Sequence, residues 1–156
     1  MTSGGNVHEF IMETQEKMGH LNSDKLKANV IFDVQRSAEN HVQTPVDAIL
    51  YDVVRVNRGE AYSPKTGKFT CPKCGLYFFS YSSLPGRGQK TDVSLMKDRK
   101  EVSLIHSVLP KDSSQLSMRN VILELHKGDM VWVRLASGNL WSEGGSLSFQ
   151  GFLLAH

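Results

Sequence analysis

Short apolar runs alternate with turn residues along this chain from about residue 28 onward. Val, Ile, Phe, Tyr and Leu dominate the runs, and Gly, Pro, Asn and Asp separate them at close intervals. Short β-branched and aromatic runs bounded by turn residues are typical of β-strands. The pattern predicts strands at 29–34, 46–54, 68–72, 75–83, 91–98, 101–108, 117–126, 130–136 and 146–154.

Several of these runs alternate apolar and polar residues with a period of two. The apolar positions are clearest at Val121, Leu123 and Leu125 and at Val131, Val133 and Leu135. Such alternation places one face of an antiparallel strand in the core. Because the turns at 63–67, 85–88, 127–129 and 137–139 are short and no helical pattern separates the strands, we expect a sandwich, jelly roll or barrel.

The first 27 residues have a different texture. They are mostly polar, and the apolar residues Ile11, Met18 and Leu21 recur at roughly helical spacing. The spacing predicts a short amphipathic helix, with a frayed helical arm as the alternative, since a coiled coil needs about three or four heptads. We therefore divide the chain into an N-terminal arm at 1–27 and a globular domain at 28–156.

Charge and hydropathy narrow the range of partners. The 18 Lys and Arg nearly balance the 16 Asp and Glu, so the net charge of +2 disfavours nucleic acid as a partner. Charged residues interrupt every apolar run before the roughly 20 residues of a membrane helix are reached, and we expect no membrane insertion. The first residues lack the basic and apolar segments of a secretion signal.

Two long motifs follow one another in the middle of the chain, Tyr-Ser-Pro-Lys-Thr-Gly-Lys-Phe-Thr-Cys-Pro at 62–72 and Gly-Leu-Tyr-Phe-Phe-Ser-Tyr at 75–81. Together with further matches in order at 95–97, 123–133 and 148–154, they resemble the globular-head family of complement component 1q. The resemblance covers about residues 28 to 156. The resemblance implies an all-β, ten-stranded antiparallel jelly roll, similar to tumour necrosis factor, that is secreted and assembles as a homotrimer.

The same resemblance implies an intersubunit surface that includes Tyr77, Phe79, Trp132 and Phe152. A strand places alternate side chains on opposite faces, so the aromatic strand at 75–83 can fill the core with one face and meet a neighbouring subunit with the other. The alternative is that all four aromatic side chains pack inside a single chain.

Cys71 and Cys74 form a Cys-Pro-Lys-Cys segment, a spacing found in thiol-exchange sites and in half of a zinc site. A second ligand pair with similar spacing is missing, and the setting between strands lacks a helix N-terminus. We therefore expect a structural role, either a local disulfide or two partly buried thiols.

Asp129 follows Gly128 in a predicted hairpin turn, and the family resemblance raises calcium as a ligand there. The next residue, Met130, is a poor calcium ligand, and a hard cation needs several oxygen ligands. A plain turn aspartate is the alternative, and no other cofactor is expected.

Basic residues in the predicted loops form a second candidate site, which would bind anionic glycans, lipopolysaccharide or acidic protein patches. Scattered, solvated surface cations are the alternative. The candidates are Arg58, Lys65, Arg87, Lys90, Arg99 and Lys100.

We find no nucleophile elbow, phosphate loop or His-Glu-x-x-His segment, so the sequence favours a non-enzymatic protein. The leading hypothesis is an extracellular recognition protein of innate-immune type that binds carbohydrate or microbial surfaces as a trimer. One alternative is a secreted signalling or synaptic-organiser ligand for a protein receptor, as in adiponectin-like or cerebellin-like relatives. Another is a cytosolic thiol enzyme that uses Cys71 and Cys74.

Overall fold

The computed structural model describes residues 7–16 and 29–156. A helix occupies residues 7–16, inside the predicted N-terminal arm. Its apolar side chains, Val7, Phe10, Ile11 and Met12, are exposed. Met18 and Leu21, the other apolar positions of the predicted helix, lie outside the described residues, and the boundary of the arm at residue 27 stays a prediction.

The remaining described residues form ten antiparallel strands, which confirms the all-β prediction. The strands are β1 (Ile31–Gln35), β2 (Val53–Arg58), β3 (Tyr62–Ser63), β4 (Lys68–Thr70), β5 (Gly75–Ser83), β6 (Lys90–Lys97), β7 (Lys100–Val108), β8 (Ser117–Leu125), β9 (Met130–Ser137) and β10 (Ser148–Ala155). A short 3-10 helix lies at Glu143–Gly145.

The strands form two five-stranded sheets. The first has the order β2-β1-β10-β5-β8, and the second has the order β3-β4-β9-β6-β7. Consecutive strands therefore often lie in different sheets, as in the jelly roll that the resemblance implied. The two faces that point away from the core are called here the outer face of the first sheet and the outer face of the second sheet.

One predicted strand, at 46–54, is wrong over most of its length. Val46 forms an isolated bridge to Leu135, and the Ile49 N–H donates to the Val133 carbonyl at 2.8 Å. Both bonds are formed by the same edge of β9 that pairs with β4 at residues 130–132. The apolar run that predicted a strand includes Ile49 and Tyr51, which are buried in the core without continuous pairing. The two-residue strand β3 was too short to be predicted.

Aromatic side chains from both sheets meet in the core. The ring centroid of Phe32 on β1 is 4.8 Å from that of Phe149 on β10 and 5.4 Å from that of Phe69 on β4. Gly151 leaves space for this cluster, because an added Cβ would lie 2.6 Å from Phe32 and 2.7 Å from Phe79. The cluster joins the two sheets, so burial of these rings is a main source of stability.

A hydrogen bond between two tyrosines crosses the same core. The Tyr51 backbone N–H donates to the Tyr62 hydroxyl at 3.1 Å. Burial raises the pKa of Tyr62 to about 12, so this group stays neutral under ordinary conditions. The buried Tyr51 hydroxyl has no hydrogen-bond partner among the described residues. The two hydroxyls therefore contribute unequally to stability.

Candidate functional site

An apolar row crosses the outer face of the first sheet. Phe152 on β10 lies between Ile31 on β1 and Phe78 on β5, and Phe78 lies opposite Ile122 on β8. The Phe78 and Phe152 rings stack at 5.0 Å, while Ile31 is 37% and Ile122 57% exposed. We call these four residues the apolar row. Apolar side chains that continue across four strands are unusual on the free face of an antiparallel sheet and are typical of an interaction surface.

Polar side chains occupy the next positions along the same four strands. Asp33, Gln150, Ser80 and Asn120 are aligned there, and the Gln150 amide donates to the Asp33 carboxylate at 3.1 Å. The outer face of the first sheet therefore combines an apolar row with a polar row that can give an interface its specificity.

The structure separates the four aromatic residues that sequence reasoning grouped as an interface. Tyr77 and Phe79 have no exposed surface and belong to the chain's own core, which corrects their assignment. Trp132 lies on β9 in the second sheet, where its neighbours Val131 and Val133 point into the core. Phe152 alone lies in the apolar row. The error lies in which alternate residues of β5 face away from the core. Phe78 points outward, whereas Tyr77 and Phe79 point inward.

A pocket lies next to Trp141, between the β5–β6, β7–β8 and β9–β10 connections. It has a volume of about 320 Å³ and is lined by Leu84, Pro85, Arg87, Ser114, Trp141 and Glu143. The indole of Trp141 is 43% exposed and packs on His41 with ring centroids 4.7 Å apart. We call this the Trp141 pocket. An exposed indole beside hydroxyl, carboxylate and guanidinium groups can stack on a sugar ring and bond its hydroxyls.

The six predicted basic residues are all exposed but do not form one surface. Lys90 and Lys100 stand at opposite ends of the β6–β7 hairpin, and Arg58 lies on β2 in the other sheet. Lys65 lies in the turn between β3 and β4. Arg87 lines the Trp141 pocket, and Arg99 lines a pocket of the second sheet that is described below. The positions of the other four favour the alternative of scattered, solvated cations.

Asp129 has the contacts of a turn residue. Its carboxylate accepts the His126 backbone N–H at 2.8 Å and lies 3.8 Å from the Lys97 ammonium. A nearby ammonium opposes a second cation at this carboxylate. Within residues 7–16 and 29–156, no group of three or more His, Cys, Asp or Glu side chains could hold a metal ion. Calcium at Asp129 stays a prediction without geometric support.

Cys71 and Cys74 are free thiols, and the predicted local disulfide is not formed in this structure. Cys71 is buried and its thiol donates to the Lys73 carbonyl at 3.2 Å, whereas Cys74 is exposed. The Tyr77 hydroxyl donates to the same carbonyl at 2.6 Å, and burial beside Cys71 raises the pKa of Tyr77 well above its usual value. These contacts fix the turn before β5.

A cluster of Asp92, His106 and Ser137 lies on the outer face of the second sheet. Asp92 Oδ1 is 2.5 Å from His106 Nδ1, and Asp92 Oδ2 accepts from the Ser137 hydroxyl at 3.0 Å. In a nucleophilic triad the serine must bond to the histidine. Here both groups bond to the carboxylate instead, so the cluster is a structural network and does not activate Ser137.

Sequence reasoning missed Ile31, Phe78 and Ile122 in the apolar row and Trp141, Ser114 and Glu143 in the pocket. The alternation of β5 carried a signal for Phe78, since a strand that buries Tyr77 and Phe79 must direct Phe78 outward. The pocket residues come from three separate connections, and their meeting depends on the chain topology.

Comparisons with known proteins agree with this architecture. The sequence profile of the C1q domain matches residues 31–154. Mouse complement C1q tumor necrosis factor-related protein 3 is 32% identical over 120 residues, which cover 76% of this chain and 49% of that protein. A bovine complement C1q subcomponent is 31% identical over 134 residues, which cover 83% of this chain and 53% of that protein.

A solved structure shows the same fold. The globular domain of the zebrafish complement 1qA protein superimposes with a TM-score of 0.66 at 20% identity, covering 82% of this chain and 98% of that chain. The chain spans about half the length of the two curated relatives, from mouse and cattle. No helix in the described part of the chain is long and apolar enough to cross a membrane. The match over residues 31–154 and the shared jelly roll show that the chain belongs to the C1q domain family.

Proposed function

We propose that this protein is a non-enzymatic extracellular recognition module that binds carbohydrate on cell or microbial surfaces as a homotrimer. The Trp141 pocket carries the carbohydrate part of the proposal. It places an indole that is 43% exposed beside Arg87, Ser114 and Glu143. An aromatic face surrounded by donors and acceptors matches a sugar ring, which has apolar C–H faces and a polar rim.

The apolar row supports the homotrimer. Phe78, Phe152, Ile31 and Ile122 would be buried if three copies packed the outer faces of their first sheets around one axis. Burial of apolar surface drives such association. Three pockets on one assembly would also raise avidity, so that a weak single site is sufficient for recognition.

Secretion and the innate-immune setting are part of the proposal and rest on the family. The relatives at about one-third identity include a complement C1q subcomponent. Recognition outside the cell also fits an assembly whose pockets stand on exposed loops, where ligand specificity can vary while the core is kept.

The test is a glycan and microbial-component array, probed with wild-type protein and with Trp141→Ala in calcium and again in chelator. We expect selective binding by the wild type and its loss in Trp141→Ala. Leu104→Ala, which removes an exposed apolar side chain from the outer face of the second sheet, should bind like wild type. Loss of binding in chelator would support the calcium prediction at Asp129.

Absence of glycan binding by a folded trimer would contradict the carbohydrate assignment. Saturable binding to cells from which surface glycans have been removed would then support the alternative, a ligand for a protein receptor. Equal loss of glycan binding in Trp141→Ala and Leu104→Ala would show that the Trp141 pocket is not the site.

A further inference from the structure

A second pocket lies on the outer face of the second sheet, away from both the apolar row and the Trp141 pocket. It has a volume of about 350 Å³ and is lined by Asp47, Lys68, Met96, Arg99, Trp132 and Arg134. Lys68 on β4, Trp132 on β9 and Met96 on β6 are direct neighbours across three paired strands. The pocket floor is therefore formed by the rigid sheet. We call it the Trp132 pocket.

Trp132 is in an unusual position for a residue on an outer face. Its neighbours Val131 and Val133 point into the core, so the indole points away from the core, yet only 4% of the residue is exposed. The Lys68 ammonium lies 4.3 Å from the centre of the indole. The buried indole N–H finds no acceptor in the part of the chain that the structure describes.

Arg134 lies two residues further along β9 and therefore on the same face as Trp132. Its buried Nε–H also lacks an acceptor among residues 7–16 and 29–156. One terminal nitrogen of the guanidinium lies 3.7 Å from the Glu101 carboxylate, which itself accepts the Ser94 hydroxyl. The Glu101 contact thus engages the end of the guanidinium and leaves its inner N–H without a partner.

Two buried donors without acceptors at one pocket point to a missing acceptor. Buried N–H groups are almost always paired, since an unpaired one loses its bond to water without compensation. The charges around the pocket agree: Lys68, Arg99 and Arg134 are cationic, and only Asp47 among the lining residues is anionic. Donors and positive charge together favour an oxyanion.

We propose that the Trp132 pocket binds the carboxylate or sulfate group of an acidic saccharide. The oxyanion accepts hydrogen bonds from Trp132 Nε1 and Arg134 Nε and pairs with Lys68 and Arg99. Because both N–H groups are covered, a side chain must move for the ligand to enter, and we expect Lys68 to move off the indole. The choice of a saccharide rests on the proposed function, whereas the choice of an oxyanion rests on the pocket.

The chain contains two tryptophans, so the indole N–H signals in a nitrogen-15 correlation spectrum report directly on both pockets. The labelled protein is titrated with a heparin-derived tetrasaccharide, a sulfate-free galacturonate tetrasaccharide and neutral maltotetraose, and Trp141→Phe assigns the two signals. We expect the Trp132 signal to shift with an acidic tetrasaccharide and not with the neutral one. The two acidic ligands distinguish sulfate from carboxylate.

Calorimetry with the responding tetrasaccharide tests the cations. Lys68→Gln combined with Arg99→Gln should weaken binding at least about tenfold, because each removes a charge-assisted contact. Lys65→Gln combined with Lys111→Gln changes the net charge equally at exposed positions outside the pocket and should weaken binding less than about twofold, through screened long-range charge alone. Trp132→Phe keeps the ring, removes the donor and should weaken binding about fivefold.

Equal losses in the two double variants would overturn the inference, since binding would then depend on net charge alone. A polyglutamate peptide that shifts the Trp132 signal when no saccharide does would overturn the saccharide assignment in favour of an acidic protein. Saccharides that shift only the Trp141 signal would overturn this inference and leave the proposed function intact. If neither signal responds to any saccharide, both fail.

Discussion

The outer faces of the two sheets are built by the same alternation and differ in what they present. On the first sheet, Phe152 and Phe78 stack in a row that ends in the exposed Ile31 and Ile122. On the second sheet the one large aromatic residue, Trp132, is 4% exposed and lies under a lysine ammonium. The aromatic pair of the first sheet thus belongs to a row with exposed apolar ends, whereas the indole of the second sheet is covered by a charged group.

The two outer faces differ in how they depart from the usual pattern of a β-sandwich. Antiparallel strands usually direct apolar residues to the core and polar residues to solvent. On the second sheet the departures are local: Leu104 is exposed, and the N–H groups of Trp132 and Arg134 have no acceptor among the described residues. The first sheet departs from the rule along a whole row. Exposed apolar side chains along a whole row are typical of a protein interface, whereas a few unpaired donors at one place are typical of a site for a ligand group.

Phe152→Glu should have the largest effect, because it places a carboxylate in the middle of the apolar row. Burial of an unpaired charge at an interface is strongly unfavourable. We expect the trimer to dissociate to monomers that keep the β-sheet spectrum of the wild type. Analytical ultracentrifugation and circular dichroism measure the two properties on one sample.

Leu104→Glu is the matched control on the other outer face. Leu104 lies on β7 opposite Ser94 and is 43% exposed, so the same change should leave the assembly intact. Dissociation in Leu104→Glu with an intact trimer in Phe152→Glu would assign the interface to the second sheet.

Gly151→Ala tests the inner face of the strand that carries Phe152. An added methyl group would lie within 2.7 Å of Phe32 and Phe79, whose rings are packed in the core. Overpacking of this kind typically costs about 1–3 kcal/mol in the free energy of unfolding. Urea denaturation measures the loss, and the folded fraction should still assemble. An unchanged midpoint would show that the core can accommodate the methyl group.

Tyr62→Phe and Tyr51→Phe compare how much the two tyrosine hydroxyls in the core contribute to stability. Tyr62→Phe leaves the Tyr51 backbone N–H without its acceptor and should lower the free energy of unfolding by about 1–3 kcal/mol. Tyr51→Phe removes a hydroxyl that bonds to no described residue and should change stability by less than about 0.5 kcal/mol. Chemical denaturation of the pair measures the difference, and the reverse order would contradict the hydrogen-bond assignment.

Asp92→Asn tests the polar network of the second face and should have the smallest effect. Hydrogen bonding to His106, and secondarily to Ser137, lowers the pKa of Asp92 below its usual value. The carboxylate therefore stabilises the fold above the unfolded-state pKa of about 3.9, and that contribution is lost as pH falls through the lower folded-state pKa. Thermal unfolding at about pH 6 should show Asp92→Asn less stable than wild type, with the difference shrinking by about pH 3.

The exposed Asp112→Asn in the β7–β8 connection is the control for this titration. It should unfold like the wild type at both pH values. A constant difference between Asp92→Asn and wild type from about pH 6 to pH 3 would mean that the network acts through packing and not through charge.

Most of the fold could be predicted from the sequence, because strands and turns are determined by residues that are close together in the chain. The alternation of Val131, Val133 and Leu135 and the turn at 127–129 define β9 without reference to distant residues. The hairpin predicted at this turn is wrong, because β8 and β9 lie in different sheets. The strand prediction failed at 46–52 because the apolar run there includes Ile49 and Tyr51, which are buried, and burial does not require a paired strand.

The candidate sites could be predicted only in part, because they depend on which strands become neighbours. The sequence indicates that Phe152 is aromatic, but only the register places it between Ile31 and Phe78. Trp132 and Phe152 look equivalent in the sequence, and the topology puts them on opposite outer faces of the sandwich.

The mass of the wild-type protein in solution tests whether the outer face of the first sheet assembles the chain into a trimer. Sedimentation equilibrium over a wide concentration range gives this mass without assumptions about shape. We expect a single species at three times the chain mass of 17.4 kDa. A species that stays at 17.4 kDa at the highest concentration would contradict the claim and leave the apolar row without its proposed partner.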